Sequence, residues 1–421
     1  MAPYKVEGRA PSLRIPRLTA SVYAGRMMEL ERETKFEPAR AEEFFESLPA
    51  RPAVVLIQPH QALTGARTLL LRTADLRRRM RLLLREPEAN SKRLNLREYA
   101  AGIRFRLTGS RFEQALVHWQ QARILWPGNY RERLHLYLPA FVKLNLANPY
   151  PRAYITRRLG PSGLYLGPFV TRRAAESFLE PWLDLFRIRR CQIKIRRDPA
   201  FPGCIYSEMK MCLAPCFGGC TSEEYGDEVS RAAAFLRTSG SSLTDALATE
   251  RELASTQLNF EHASTLHKRL EKVQELRRAL PELVGPIEQL RAVIVARAAA
   301  EDAIAVFTVR GGRIADPFVL RFGELAGQPR SAEQILRDLL EPATPSEDEG
   351  DPAREASGPF TMRDLEDHLA LLARWFYGNP REGEIFFQET KPEGWPYRRI
   401  LRACRRLLAP QGSEKTSQNI S

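Results

Sequence analysis

Four cysteines, Cys191, Cys204, Cys212 and Cys216, fall within about 26 residues, and Cys220 follows closely. Thiolates are soft ligands, and four of them can close a tetrahedral zinc site or hold the irons of a [4Fe–4S] cube. The spacing has neither the two close CxxC pairs of a zinc ribbon nor the usual ferredoxin run. Cluster, zinc and buried structural thiols therefore all stay open on spacing alone. A second chemistry is cationic. Arg72, Arg77, Arg78, Arg79 and Arg81 crowd one stretch, and Arg157, Arg158, Arg172 and Arg173 flank an LGPF turn. Such guanidinium groups suit phosphates and give salt-sensitive, sequence-independent affinity. Tyr165, Phe169 and Tyr206 lie nearby in sequence as base or sugar contacts. Arg398, Arg399, Arg402, Arg405 and Arg406 form a third patch on an amphipathic helix, with Cys404 on its apolar side. DNA, a partner helix or a membrane surface would each suit that patch.

The elements that must position these groups divide the chain. Residues 1–35 read as a basic, proline-punctuated arm without fixed structure. Residues 36–140 read as a small α/β unit. AVVLIQ (Ala53 to Gln58) and RTLLLR (Arg67 to Arg72) are short buried strands. A helix after Asp75 sets Leu76, Met80, Leu83 and Leu84 behind a basic face, and a second helix starts at Ser110. Residues 141–228 read as an irregular, cysteine-rich module. Residues 229–282 read as a helical hairpin turning at Asn259, a good N-cap, with Leu253, Leu258, Phe260, Ala263, Leu266, Leu270 and Val273 along one seam. Residues 283–400 read as a small α/β domain, in which AVIVARAA and AIAVFTVRGG are adjacent strands and Gly311-Gly312 a turn. Residues 342–358 are an acidic, breaker-rich loop, and 401–421 are the end of a basic helix and a polar tail. The fold class is α+β, multidomain.

Bulk composition narrows the function classes. The 421 residues carry 64 Lys and Arg against 51 Asp and Glu, a formal net charge of +13, with 43% hydrophobic residues. That charge favours polyanions, nucleic acid first. No apolar run reaches the roughly 20 residues of a membrane helix, and the N-terminus has no secretory core. The expected location is the cytoplasm, with no membrane partner, and there cysteines argue for metal chemistry over disulfides.

The cysteine segment resembles the UvrC family of excinuclease subunits. RRC at Cys191, CIY at Cys204, CLAPC at Cys212 to Cys216 and EEY at Glu223 to Tyr225 carry the likeness, with YPRAYITRR and LYLGPFVTRRAAESFL just upstream. The resemblance implies a [4Fe–4S] cluster on Cys191, Cys204, Cys212 and Cys216, zinc being the alternative, and leaves Cys220 spare. LNFEHASTL resembles the family's UVR motif, matched by Leu258, Phe260, Glu261, Ala263 and Leu266, with His267 and Lys268 departing from it. That match implies a UvrB-like partner.

The same likeness implies a GIY-YIG nuclease unit at the N-terminal side, but its chemistry is degraded. Where that family has a glycine and a tyrosine in its first strand, this sequence has Ala53 and Val55. The YVG element is Leu69-Leu70-Leu71, and a later tyrosine position is Leu83. Arg79 matches the family's arginine, while the metal-binding glutamate falls on His118. One imidazole does not replace a hard carboxylate for Mg²⁺, so no Mg²⁺ site is expected. The family's lead-in to a second, RNase H-like nuclease matches Ala292 to Ile314, and the chain ends about where that domain would begin. No acid cluster is expected in an ordered core. The reading is a DNA-binding component or regulator of nucleotide excision repair, without nuclease activity. The alternatives are an active incision endonuclease and an iron–sulfur regulator outside repair.

Overall fold

Five consecutive apolar residues, Ala53 to Ile57, form a strand that must be covered on both faces, and covering elements lie on either side of it. The computed structural model describes residues 30–60, 68–86, 95–325, 330–341, 360–388 and 394–409. The first unit comprises β1 (Arg32–Lys35), α1 (Ala41–Ser47), β2 (Ala53–Pro59), β3 (Leu69–Thr73), α2 (Leu76–Leu83), α3 (Leu96–Tyr99), β4 (Ala100–Leu107), α4 (Arg111–Leu125) and α5 (Tyr130–Arg133). Its antiparallel sheet runs β1-β4-β2-β3. Ala53, Val55 and Ile57 pack with Phe44, Phe45, Leu76 and Met80 of α1 and α2, whereas Val54 and Leu56 pack with Phe112 and Leu116 of α4. Asp75 caps α2 by accepting the Arg78 N–H, and Ser110 caps α4 through Glu113. The expected arm is shorter than 35 residues: Arg32–Lys35 pair with Phe105 to Gly102 of β4. Residues 1–29 lie outside the described residues.

The module expected to be irregular over 141–228 is regular for much of its length. β5 (Ala140–Leu144), β6 (Ala153–Thr156) and β7 (Leu164–Phe169) form an antiparallel sheet, and α6 (Arg172–Leu183) follows, capped by Thr171. After the cysteine loop with its short α7 (Ile205–Glu208) come α8 (Ser222–Arg237), α9 (Ser241–Thr256) and α10 (Phe260–Arg278). The helical segment is thus three helices, since α8 begins before residue 229 and only α9 and α10 make the hairpin. β8 (Gly285–Pro286) then returns to the edge of β7. Trp182, Phe186, Tyr225, Phe235, Leu247 and Leu270 share one core beneath this sheet.

The third sheet is built from β9 (Arg291–Arg297), β10 (Ala303–Arg310), β11 (Arg313–Ile314) and β12 (Phe318–Arg321). The helices α11 (Phe322–Leu325), α12 (Ala332–Leu340) and α13 (Met362–Phe376) follow, then β13 (Glu384–Phe387) and α14 (Tyr397–Leu408). Strands β9 and β10 pair antiparallel, and the Gly311-Gly312 turn has positive φ at both residues. Both strands alternate between two cores: Ile294 and Phe307 face α13 and α4, while Val293, Val306 and Cys404 of α14 share the other side. The α13-side core contains Val54, Phe112, Phe141, Tyr165, Ile294 and Leu369, so residues from all three sheets are packed into it. Gly109 sits where a Cβ would strike the Ala298 backbone, which lets β4 and α4 close onto the β9–β10 turn. The acidic loop 342–358 and the polar tail from 411 lie outside the described residues.

Candidate cofactor loop, partner tip and nucleic-acid interface

Cys212, Cys216 and Cys220 are buried, and Cys191 and Cys204 half-buried. Burial pushes the Cys212 thiol up to about 11, and Cys191, Cys216 and Cys204 add to the rise. Burial, then Cys204 and Cys191, also raise Cys216. These four thiols are therefore electrostatic neighbours. Among the described residues, however, no group of three or more His, Cys, Asp or Glu side chains could hold a metal ion as it stands.

Arg189, which the sequence reading passed over, organises the loop. It is buried, and its guanidinium donates to the carbonyls of Tyr150 (2.8 Å), Cys191 (3.2 Å) and Ile193 (2.9 Å), with Cys191 Sγ at 3.9 Å. Its own N–H donates to the Tyr225 hydroxyl, which donates in turn to Pro151 O. The Ala214 N–H donates to Cys212 Sγ at 3.3 Å. That N–H pulls against the burial-driven rise of the Cys212 thiol.

The hairpin departs from the expected seam. Leu266, Leu270 and Val273 are buried, but Leu253 is 57% exposed, Leu258 72% and Phe260 64%. Leu258 has φ of 60° at the turn, and Asn259 caps α10 by accepting the His262 N–H at 3.3 Å. That tight turn rotates Leu258 and Phe260 away from the inter-helix contact. Glu261 is exposed, Ala263 is half-buried against the core, and Leu266 is the one of the five motif residues buried within it.

The basic residues divide by their contacts. Arg79, Arg157, Arg158 and Arg173 are exposed. Arg172 pairs with Glu176 at 2.8 Å. Arg77 is a strut, since its Nε donates to Leu48 O at 2.6 Å and its Nη2 to Glu46 O at 3.1 Å. Tyr165 and Phe169 are buried and cannot meet a base, and Tyr206 is half-buried. On α14, Arg398, Arg402 and Arg405 are exposed while Arg406 binds Glu384 at 2.7 Å.

The largest departure is an acid cluster in the core. Asp364, Glu366 and Asp367 are buried on α13. Asp367 accepts from Trp119 Nε1 (3.0 Å), from the Tyr130 hydroxyl and from Arg131 Nε (2.6 Å). Glu366 accepts from Arg131 (3.0 Å) and from the Leu159 N–H (2.9 Å), and Asp364 pairs with Arg123 at 2.7 Å. Burial pushes the Asp367 carboxyl up, while Tyr130, Trp119 and Arg131 pull against that rise. Each acid is already partnered, which makes the cluster a clamp rather than a catalytic centre. Its signal was the run DLEDH in an otherwise apolar helix.

Two imidazoles in this region are held neutral. Burial, then Arg72, depresses His118 to about 4; burial, then Arg313 and Arg123, depresses His368 to about 3. His368 Nδ1 accepts the Ile314 N–H at 2.9 Å. An unfolded imidazole takes its proton near pH 6.5, whereas these two do so only near 4 and 3. Their contribution to stability is intact above pH 6.5 and is lost as pH falls from there toward 4. Urea unfolding at pH 7, 5.5 and 4 should show that decline, and His118→Gln should make it shallower. An unchanged slope in the variant would count against the assignment.

The profile of the UvrC/Cho excinuclease middle domain matches residues 140–235, the segment from β5 to the end of α8. A UvrABC system protein C from Methanothermobacter thermautotrophicus is 28% identical over 338 residues, covering 78% of this chain and 53% of that protein. That from Chlamydia caviae is 30% identical over 47% of this chain and 36% of its own length, and that from Ruminiclostridium cellulolyticum 29% over 41% and 29%. The matches thus span about half the length of the first relative and about a third of the other two. No solved structure matches. Fold and loop together define a multi-sheet α+β protein organised around a middle domain of the UvrC/Cho kind. Residues 140–235 match that middle domain, and the chain is similar to UvrABC system protein C over as much as 78% of its length. No described helix is long and apolar enough to cross a membrane.

Proposed function

We propose that this chain is a DNA-binding and partner-binding component of nucleotide excision repair that does not itself cut DNA. One observation carries the reading. At the position matched to the family's metal-binding glutamate stands His118, kept neutral and set beside the Arg72 guanidinium. The guanidinium charge opposes the divalent ion that phosphodiester hydrolysis needs, and a neutral imidazole offers no anionic oxygen to offset it. The N-terminal unit keeps a GIY-YIG-like strand and basic-helix pattern, with Arg79 serving phosphate contact.

A UvrB-type protein is the proposed partner of the apolar tip formed by Leu253, Leu258 and Phe260, with Glu261 on its rim and Ala263 at its base. Cys191, Cys204, Cys212 and Cys216 fit a [4Fe–4S] cluster by donor chemistry, and the Arg189 cation suits its negative charge. Bound there, the cluster would cross-link the loop between α6 and α8 rather than carry out redox catalysis. Anaerobically purified protein should absorb near 400 nm and hold about four irons per chain, and Cys212→Ser should abolish both; stoichiometric zinc would replace the cluster in this reading.

The deciding experiment is incision of a lesion-bearing duplex with Mg²⁺ or Mn²⁺, UvrA and UvrB, alongside a DNA-binding titration. Salt-sensitive binding that UvrB strengthens, with no nick, is the expected result. A metal-dependent nick that survives purification would make the chain a nuclease instead.

A further inference from the structure

The face where β3, α4, the segment after α5 and the end of α13 meet carries groups that neither the cysteine loop nor the hairpin uses. Strand β3 alternates: Leu69 and Leu71 pack toward α1 and α2, while Leu70 packs into the core containing α4. Arg72, two residues beyond Leu70, therefore lies on the α4 side. Helix α4 is pinned there by Gln114, whose amide donates to Ala53 O at 3.1 Å and Thr73 O at 2.8 Å. His118 sits one turn further along the same helix face. From α13, Arg374 donates to the carbonyls of Leu134 (3.4 Å) and His135. Two residues on stands Tyr137, 75% exposed.

Arg72 and Arg374 are both exposed at the surface yet close enough to act on one another: burial, then Arg72, lowers Arg374. Among the described residues neither guanidinium is salt-bridged. Arg374 uses part of its donor fork on two carbonyls, which fixes its direction and leaves further N–H groups free. Two neighbouring like charges without a counter-ion, one of them fixed, are a place where an oxyanion lowers the energy. The face is open rather than enclosed, and it adds a neutral imidazole and a free aromatic ring. A small anion would use only the arginines; a nucleic-acid strand supplies a phosphate for them and a base for the ring.

We propose that Arg72, Arg374, His118 and Tyr137 form a phosphate cradle for an unpaired DNA strand, with the two arginines on a phosphate and Tyr137 stacked on a base. This assignment rests on the DNA-binding reading above and adds where and how the strand is held. It joins groups about 300 residues apart in sequence, so the N-terminal unit and α13 bind as one surface.

The test is fluorescence anisotropy of the full chain with a labelled single-stranded oligonucleotide across a salt series. Arg72→Ala should weaken binding about tenfold at low salt and flatten the log–log salt dependence by roughly 0.7; Arg72→Lys should restore the slope. Tyr137→Ala should weaken binding about fivefold to tenfold with the slope unchanged. Circular dichroism of each variant confirms the fold, both side chains being exposed. Wild-type affinity and slope in Arg72→Ala and Tyr137→Ala, from a wild type that binds, would overturn the cradle alone. A wild type that binds no DNA would overturn the broader reading along with it. Inorganic phosphate at constant ionic strength supplies the last arm. Phosphate bound by the wild type and lost in Arg72→Ala, with strand affinity untouched, would reassign the face to a free anion.

Discussion

Replacing Asp367 by alanine should remove about 3–5 kcal/mol of folding stability, among the largest single-residue losses in the molecule. The carboxylate is 0% exposed and receives donors from Trp119 of α4 and from Tyr130 and Arg131 of α5. Its removal strands the Trp119 N–H and the Tyr130 hydroxyl in the core and leaves Arg131 with Glu366 as its remaining carboxylate. Each orphaned donor keeps its desolvation cost without its bond. Asp367→Asn retains the shape and one acceptor and should cost less than alanine. Urea unfolding followed by circular dichroism reads the difference. A loss under about 1 kcal/mol for Asp367→Ala would mean that the clamp does not hold α13 to α4 and α5.

Phe260→Ala should weaken binding to a UvrB-type protein by about 30-fold or more, the 2 kcal/mol or greater typical of an aromatic hot spot. It should leave unfolding unchanged, because the ring is 64% exposed and outside the core. Leu266→Ala is the opposite case. That side chain is 5% exposed among Leu270, Val273 and the α6 core, so its truncation should cost about 2–5 kcal/mol of stability. Titration of the folded variants against the partner, with unfolding measured in parallel, separates the two roles. Equal partner affinity in Phe260→Ala and the wild type would remove the tip from the interface.

The sequence by itself determined what depends on neighbours along the chain. Short apolar runs in AVVLIQ and AIAVFTV specified buried strands, and Asp75, Ser110 and Asn259 marked helix starts that the caps bear out. The cysteine motif and the segment around the LGPF turn carried the likeness that the middle-domain match over residues 140–235 bears out, because such a motif lies in the order and spacing of residues along the chain. Tertiary structure decided what depends on partners distant in sequence. Nothing local distinguishes Arg77, bonded to the Leu48 and Glu46 carbonyls, from exposed Arg79 two positions on. The buried acids of α13 became legible only when α4 and α5 brought Trp119, Tyr130 and Arg131 to them. Leu258 and Phe260 fit a helical seam by spacing alone, but a left-handed residue at the turn moved them to the surface. Periodicity states which side chains share a face of an element; only packing states whether that face meets core, solvent or another chain, because burial is set by the summed contacts of elements far apart in sequence.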